Sequence, residues 1–298
     1  MDKEKDLKKG NSQVSEAACS GSKCRTHRLA IQGIAALIQN ANFKGFFTGS
    51  IYKGPLKAVC VPGLNCYSCP GAVGACPIGS LQNSLSGLTF RFPYYVLGLL
   101  IFFGAILGRA VCGFLCPFGL LQDLLNRIPF PKKIRTFRGD RKLRKLKYIV
   151  LILMVIIGPV MVKLTPIFCK YLCPSGTLAG LFLAFSDTKL FSAMGSIFAW
   201  KLSVLIMVVI AAVMIYRPFC KYLCPLGAIY APFNKVAAIS LVHKSDACIS
   251  CGTCSAVCKM CADPSKDPRD PECIRCGDCI SACPAKALQY EFFTKKRK

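Results

Sequence analysis

Two cysteine runs near the C-terminus, CISCGTCSAVC from Cys248 and CIRCGDCISACP from Cys273, both read C-x2-C-x2-C-x3-C. Three thiolates at intervals of three residues wrap one face of a [4Fe–4S] cube in a tight loop, and a remote cysteine of the other run closes it. The spacing therefore assigns one cluster to Cys248, Cys251, Cys254 and Cys283, and a second to Cys273, Cys276, Cys279 and Cys258. Zinc is the alternative for C-x2-C pairs, but eight cysteines in two such runs, the second closed by Cys-Pro, favour iron–sulfur chemistry. Gly252 and Gly277 suit the turns that bring backbone amides to the sulfurs, and Cys261 stays unassigned.

The rest of the chain reads as living in a different solvent. Of 298 residues, 53% are hydrophobic and 18% charged, more apolar than an average soluble domain. Yet 39 Lys and Arg against 14 Asp and Glu leave a formal charge of +25. This balance excludes a disordered or purely nucleic-acid-binding chain, and two histidines, His27 and His243, leave no basis for haem held by histidine pairs. Uncharged runs at residues 92–108, 148–162 and 202–216 predict three membrane spans. The last two are short against the roughly 20 residues that cross a bilayer core; Lys163 and Lys201 can snorkel, and Leu190–Trp200 lengthens the third. Residues 29–43 are uncharged but carry Gln32, Gln39, Asn40 and Asn42, and either cross or lie in the interface.

Short cytoplasmic loops collect Lys and Arg. Residues 127–147 hold ten basic residues and one acidic, so they are expected inside, whereas residues 48–90 and 164–196 fall outside. The seven basic residues among the first 28 join them inside only if residues 29–47 cross. The expectation is four spans in a prokaryotic inner membrane with both termini cytoplasmic. No apolar run precedes residue 29, so no cleavable leader is expected. The basic 127–147 loop reads as a topology determinant and a contact for anionic lipid. Nucleic acid is not expected there, because no aromatic or helix-turn-helix pattern accompanies the charge.

A second cysteine pattern runs through the apolar part. Four C-P-x-G motifs start at Cys76, Cys116, Cys173 and Cys224, and the last three have a partner four residues earlier, at Cys112, Cys169 and Cys220. The first has Cys60, Cys66 and Cys69 upstream instead. Cysteines four apart share one face of a helical turn, and the Pro marks a break in the chain. Each motif supplies two thiolates, so a four-ligand cluster needs two motifs. The topology above pairs Cys112 and Cys116 with Cys220 and Cys224 at the inner membrane edge, flanked by Arg109, Arg217 and Lys221. It pairs Cys169 and Cys173 with two of the upstream group at the outer edge, near Lys163 and Lys170. Cys69 and Cys76 are the favoured outer pair, with Cys66 or Cys60 as substitutes and disulfides as the alternative on that face. Clusters on opposite faces of a core of roughly 30 Å are far apart for one electron step, unless the motifs dip inward or a quinone or partner flavin fills the gap.

The order from CYSCPGAVGACPIG through three C-x3-C-P motifs to the tandem C-terminal runs closely resembles the NapH type of membrane polyferredoxin over residues 28–290. These are relatives of the quinol-dehydrogenase component beside periplasmic nitrate reductase and of the membrane part of the nitrous-oxide-reduction flavoprotein, the NosR type. The expected fold is an all-α membrane bundle of about four transmembrane helices with short re-entrant segments after the C-P-x-G motifs, followed by an α+β two-[4Fe–4S] ferredoxin-like domain. Its expected parts are a basic cytoplasmic tail at 1–27, a transmembrane domain at 28–236 and the two-cluster domain at 237–298. The resemblance implies electron transfer between a cytoplasmic donor and a quinone or an acceptor outside, through four [4Fe–4S] clusters. No covalent-flavin domain or C-x-x-C-H haem motif is present, so a flavin or haem would belong to an outer partner subunit. A quinol dehydrogenase with its own quinone site, and a redox sensor or assembly factor, are the alternative functions.

Overall fold

The computed structural model describes residues 22–87, 92–131, 133–137, 139–186 and 195–292. Most of the basic N-terminal tail, including Cys19, lies outside them, as does the start of the Leu190–Trp200 extension.

Each C-P-x-G motif starts a helix at its Pro. Cys76, Cys116 and Cys224 hold extended backbone at the helix N-cap, and Pro77, Pro117 and Pro225 follow in the first turn. Proline suits that place because its missing N–H is one the first turn would leave unpaired. The helices that follow run Pro77–Ser86, Pro117–Leu125, Pro174–Ser186 and Pro225–Phe233. In the last three motifs a short helix precedes the kink, at Ala110–Phe114, Ile167–Tyr171 and Pro218–Tyr222, and carries the first cysteine of the pair.

The longer elements differ from the four expected spans. Among the described residues one helix, Ser196–Met214, is long and apolar enough to cross a membrane, with a mean hydropathy of 2.5. Tyr94–Leu107 has 14 residues and stops at Gly108, whose φ of 52° turns the chain toward Arg109. The second apolar run, at 148–162, starts as α-helix, passes into a π-helix over Leu151–Ile157 and ends at Met161. The first segment is the helix Ser22–Gln39, and two of its polar residues face protein. Gln32 Nε2 donates to the Cys116 carbonyl at 2.9 Å, and Gln39 Nε2 to the Leu115 carbonyl at 2.8 Å. This segment is therefore held along the second cysteine motif by side chains that lipid would have left unsatisfied.

The C-terminal part is α+β, as expected. Strand β1 (Ile239–His243) pairs antiparallel with β2 (Leu288–Phe292), Leu241 opposite Tyr290. Between them lie two short helices, Thr253–Val257 and Asp278–Ser281. This part is tied closely to the helical part. The Asn234 side chain accepts from Arg109 N at 2.8 Å and donates to the carbonyls of Asp270 and Cys273 at 2.9 and 2.8 Å.

Candidate metal centres

In the C-terminal part, Cys248, Cys251, Cys254 and Cys283 line one cavity of about 270 Å³. Cys258, Cys273, Cys276 and Cys279 line a second, much tighter one of about 20 Å³. The two runs thus exchange their fourth cysteines. Gly252 and Gly277 cap the two short helices in the left-handed region, at φ 70° and 85°. Ser250 N donates to Cys248 Sγ at 3.4 Å and Ala287 N to Cys283 Sγ at 3.3 Å. Cys251 is exposed, and its thiol is lowered by a hydrogen bond from Thr253. Cys261 turns to the Arg135 carbonyl at 3.3 Å and joins neither cavity.

Cys112, Cys116, Cys220 and Cys224 are all buried, and Cys224 lies within electrostatic reach of the other three. Cations frame them. Arg109 donates to the Cys220 carbonyl at 3.0 Å and Arg217 to the Cys112 carbonyl at 2.6 Å, and both side chains are fully buried. Three carboxylates, each holding two cations, complete the frame. Glu272 binds Arg109 at 2.5 Å and also Lys147. Asp123 binds Arg217 at 2.6 Å and Arg28 at 2.8 Å. Asp140 binds Arg144 at 2.5 Å and Lys221 at 2.8 Å. Burial would raise the Asp123 carboxyl, but its two arginines outweigh that and hold it at about 2. Arg109, Arg217 and Lys221 were readable from sequence; the carboxylates and Arg28 were not. The available signal was scarcity, since Asp140 is the one acid among ten bases.

Cys66, Cys76, Cys169 and Cys173 surround a cavity of about 590 Å³. A Cβ added to Gly176 would lie 3.7 Å from Cys66 Sγ, and one added to Gly79 would lie 3.9 Å from Cys169 Sγ. Cys69, the favoured fourth member, is not in this set. Its N–H bonds the Cys66 carbonyl at 3.1 Å in a tight turn, which sends its Sγ to Asn40 Oδ1 at 3.9 Å. Cys60 Sγ lies 3.4 Å from Ser80 Oγ. The cations at this cavity are Lys57 and Lys201, not the expected Lys163 and Lys170. Lys57 Nζ donates to the Ala72 carbonyl at 2.6 Å and sits 4.7 Å over the Tyr67 ring.

The last two sets are adjacent, not a membrane thickness apart. The loop at residues 60–76 folds onto the second motif so closely that a Cβ on Gly63 would lie 2.9 Å from Cys116 Cα. The buried Tyr230 hydroxyl donates to the Pro62 carbonyl at 3.1 Å. Tyr230 stands within electrostatic reach of Cys112, Cys116 and Cys224, and of Cys76 in the other set.

The donor sets are all thiolate, which is the ligand chemistry of iron–sulfur clusters. No disulfide joins the cysteines of the four tetrads, and two of the tetrads line cavities of about 270 and 590 Å³. Around Cys112, Cys116, Cys220 and Cys224, six cations face three carboxylates. Buried charge without a counterpart is costly, and four thiolates holding a cluster there would supply the missing negative charge.

Residues 92–138, 146–190 and 197–243 match the 4Fe-4S binding domain family, one C-x3-C-P motif in each. Two uncharacterized proteins of Methanocaldococcus jannaschii are similar. MJ0750 is 29% identical over 64% of this chain and 76% of its own length. MJ0749 is 31% identical over 65% of this chain and 68% of its own. YccM of Escherichia coli (strain K12), which carries a provisional electron-transport name, is 28% identical over 67% of this chain and 56% of its own. No solved structure matches. By its identity to MJ0749 and its coverage of that protein, this chain belongs to the MJ0749 family.

Proposed function

We propose that this protein is a membrane-bound electron carrier holding four [4Fe–4S] clusters, bound by Cys248/251/254/283, Cys258/273/276/279, Cys112/116/220/224 and Cys66/76/169/173. The clusters, when bound, supply one-electron chemistry. The observation that carries this reading is the unbroken succession of the four cysteine tetrads. Cys254 of the first interacts electrostatically with Cys279 of the second. Beside the second, the Ile274 carbonyl would lie 2.6 Å from a Cβ on Gly113, next to Cys112 of the third. Tyr230 and Gly63 join the third to the fourth. An electron-transport role also agrees with the name of YccM, and the motif order agrees with the NapH-type resemblance.

Residues around the tetrads have separable tasks in this reading. Exposed Cys251 opens the first tetrad to a soluble cytoplasmic donor. The buried Arg109, Arg217 and Lys221 offset the charge of the third. Lys57 and Lys201 do so more sparsely at the fourth, which faces a quinone or a flavin- or haem-carrying partner. The membrane assignment rests on apolar side chains turned outward, among them Ile101, Phe102, Ile152, Leu153, Ile206, Met207 and Ile210. Exposed apolar area of that extent needs a cover, and lipid supplies it. Arg127, Lys133 and Arg135 stay exposed beside it, suited to anionic lipid in a prokaryotic inner membrane with both termini cytoplasmic.

Proteoliposomes enclosing ferricyanide and reduced from outside by dithionite test the reading. Bleaching of the enclosed ferricyanide that disappears in Cys116→Ser is the expected result. A fully iron-loaded protein that passes no electrons would refute it.

A further inference from the structure

Two glutamines occupy the same place in the two tetrads built from C-P-x-G motifs. Gln82 follows Cys76 by six residues and Gln122 follows Cys116 by six, in the related stretches CPIGSLQ and CPFGLLQ. Both side chains are fully buried. Each reaches across to the partner motif of its own tetrad, and these partners are also alike, FCKYLCPSG and FCKYLCPLG. Gln82 Oε1 accepts from Phe168 N at 3.2 Å, and Gln122 Oε1 accepts from Phe219 N at 3.2 Å.

Those backbone bonds settle which way each amide points. An N–H can only donate, so the oxygen must face the phenylalanine and the NH2 must face away from it. In both cases the NH2 then meets the next cysteine along. Gln122 Nε2 lies 3.0 Å from Cys220 Sγ, and Gln82 Nε2 lies 3.8 Å from Cys169 Sγ. The second hydrogen of Gln122 has the Phe118 carbonyl at 3.4 Å. A buried amide aimed at sulfur in one place could be packing. The same amide, with the same pinned oxygen, aimed at the equivalent sulfur in two places is a device.

We propose that Gln82 and Gln122 are positioning residues of the two tetrads, each donating an N–H to one cysteine sulfur and thereby raising the reduction potential of the cluster it serves. The inference rests on the tetrad reading above. Its physical basis is that reduction adds negative charge to the cluster and its sulfurs, and an N–H aimed at a ligand sulfur stabilises the more negative state. Gln122 stands closer to its sulfur, so its effect is the larger. The pairing also explains why these glutamines are neutral. A cation at the same place would need its own counterion in a buried site.

Potentiometric titration with paramagnetic resonance, combined with iron counts, tests this on the full-length protein. Gln122→Glu and Gln82→Glu keep an oxygen for the phenylalanine N–H and replace the donating NH2 by a second oxygen. Gln122→Met and Gln82→Met remove both groups, giving a second pair if the first folds poorly. The expected result is unchanged iron content with one signal lowered in potential by the Gln122 changes and a different signal lowered less by the Gln82 changes. Unmoved potentials in iron-replete variants would overturn the inference and leave the tetrads standing. An iron content in the unsubstituted protein sufficient for the two C-terminal clusters alone would overturn both.

Discussion

Cys66 and Cys69 sit in one C-x2-C turn ahead of Cys76, and the sequence reading favours Cys69, with Cys66 a close rival. What separates them is tertiary. The loop folds over Cys116, the turn points Cys66 into the cavity and Cys69 toward Asn40, and no local pattern encodes that choice. Cys66→Ser is therefore predicted to lower the iron content by about four per chain, one [4Fe–4S] cluster, and to remove one resonance signal. Cys69→Ser should leave both unchanged, and the reverse outcome would return Cys69 to the set. The glutamines escaped sequence reading for a related reason. Cysteine spacing reports which sulfurs are available, while Gln82 and Gln122 gain meaning only from the motif they reach across to.

At the scale of elements, local signals were legible and lengths were not. Pro after Cys marked each kink, and Gly252 and Gly277 marked the turns before two short helices. The apolar runs announced helices, but Gly108, the π-helical Leu151–Ile157 stretch and the polar face of Ser22–Gln39 make three of them differ from plain spans. Hydropathy counts apolar residues and is blind to a glutamine that pairs with a carbonyl 84 positions away. The joint between the helical and α+β parts is equally tight at Gly113, where an added Cβ would approach the Ile274 carbonyl to 2.6 Å. Gly113→Val should cost about 1–3 kcal/mol by overpacking that contact. Limited proteolysis would register it as faster release of the fragment beyond residue 236, and an unchanged cleavage rate would show that the joint yields without loss.

The whole molecule is a basic protein organised around sulfur. Its formal +25 looks excessive for the chain alone, but buried Arg109, Arg217, Lys147 and Lys221 are spent within the frame of one tetrad, each paired yet jointly outnumbering their carboxylates. The frame makes sense when the enclosed thiolates carry the remaining negative charge. The same packing brings the residue 60–76 loop against the second motif, so no membrane-wide gap separates the last two tetrads. Everything in this account depends on all four tetrads being occupied. The most direct measurement is the iron and acid-labile sulfide content of the anaerobically purified full-length protein. The account predicts about sixteen of each per chain, four [4Fe–4S] clusters; about eight, confined to the C-terminal domain, would contradict it.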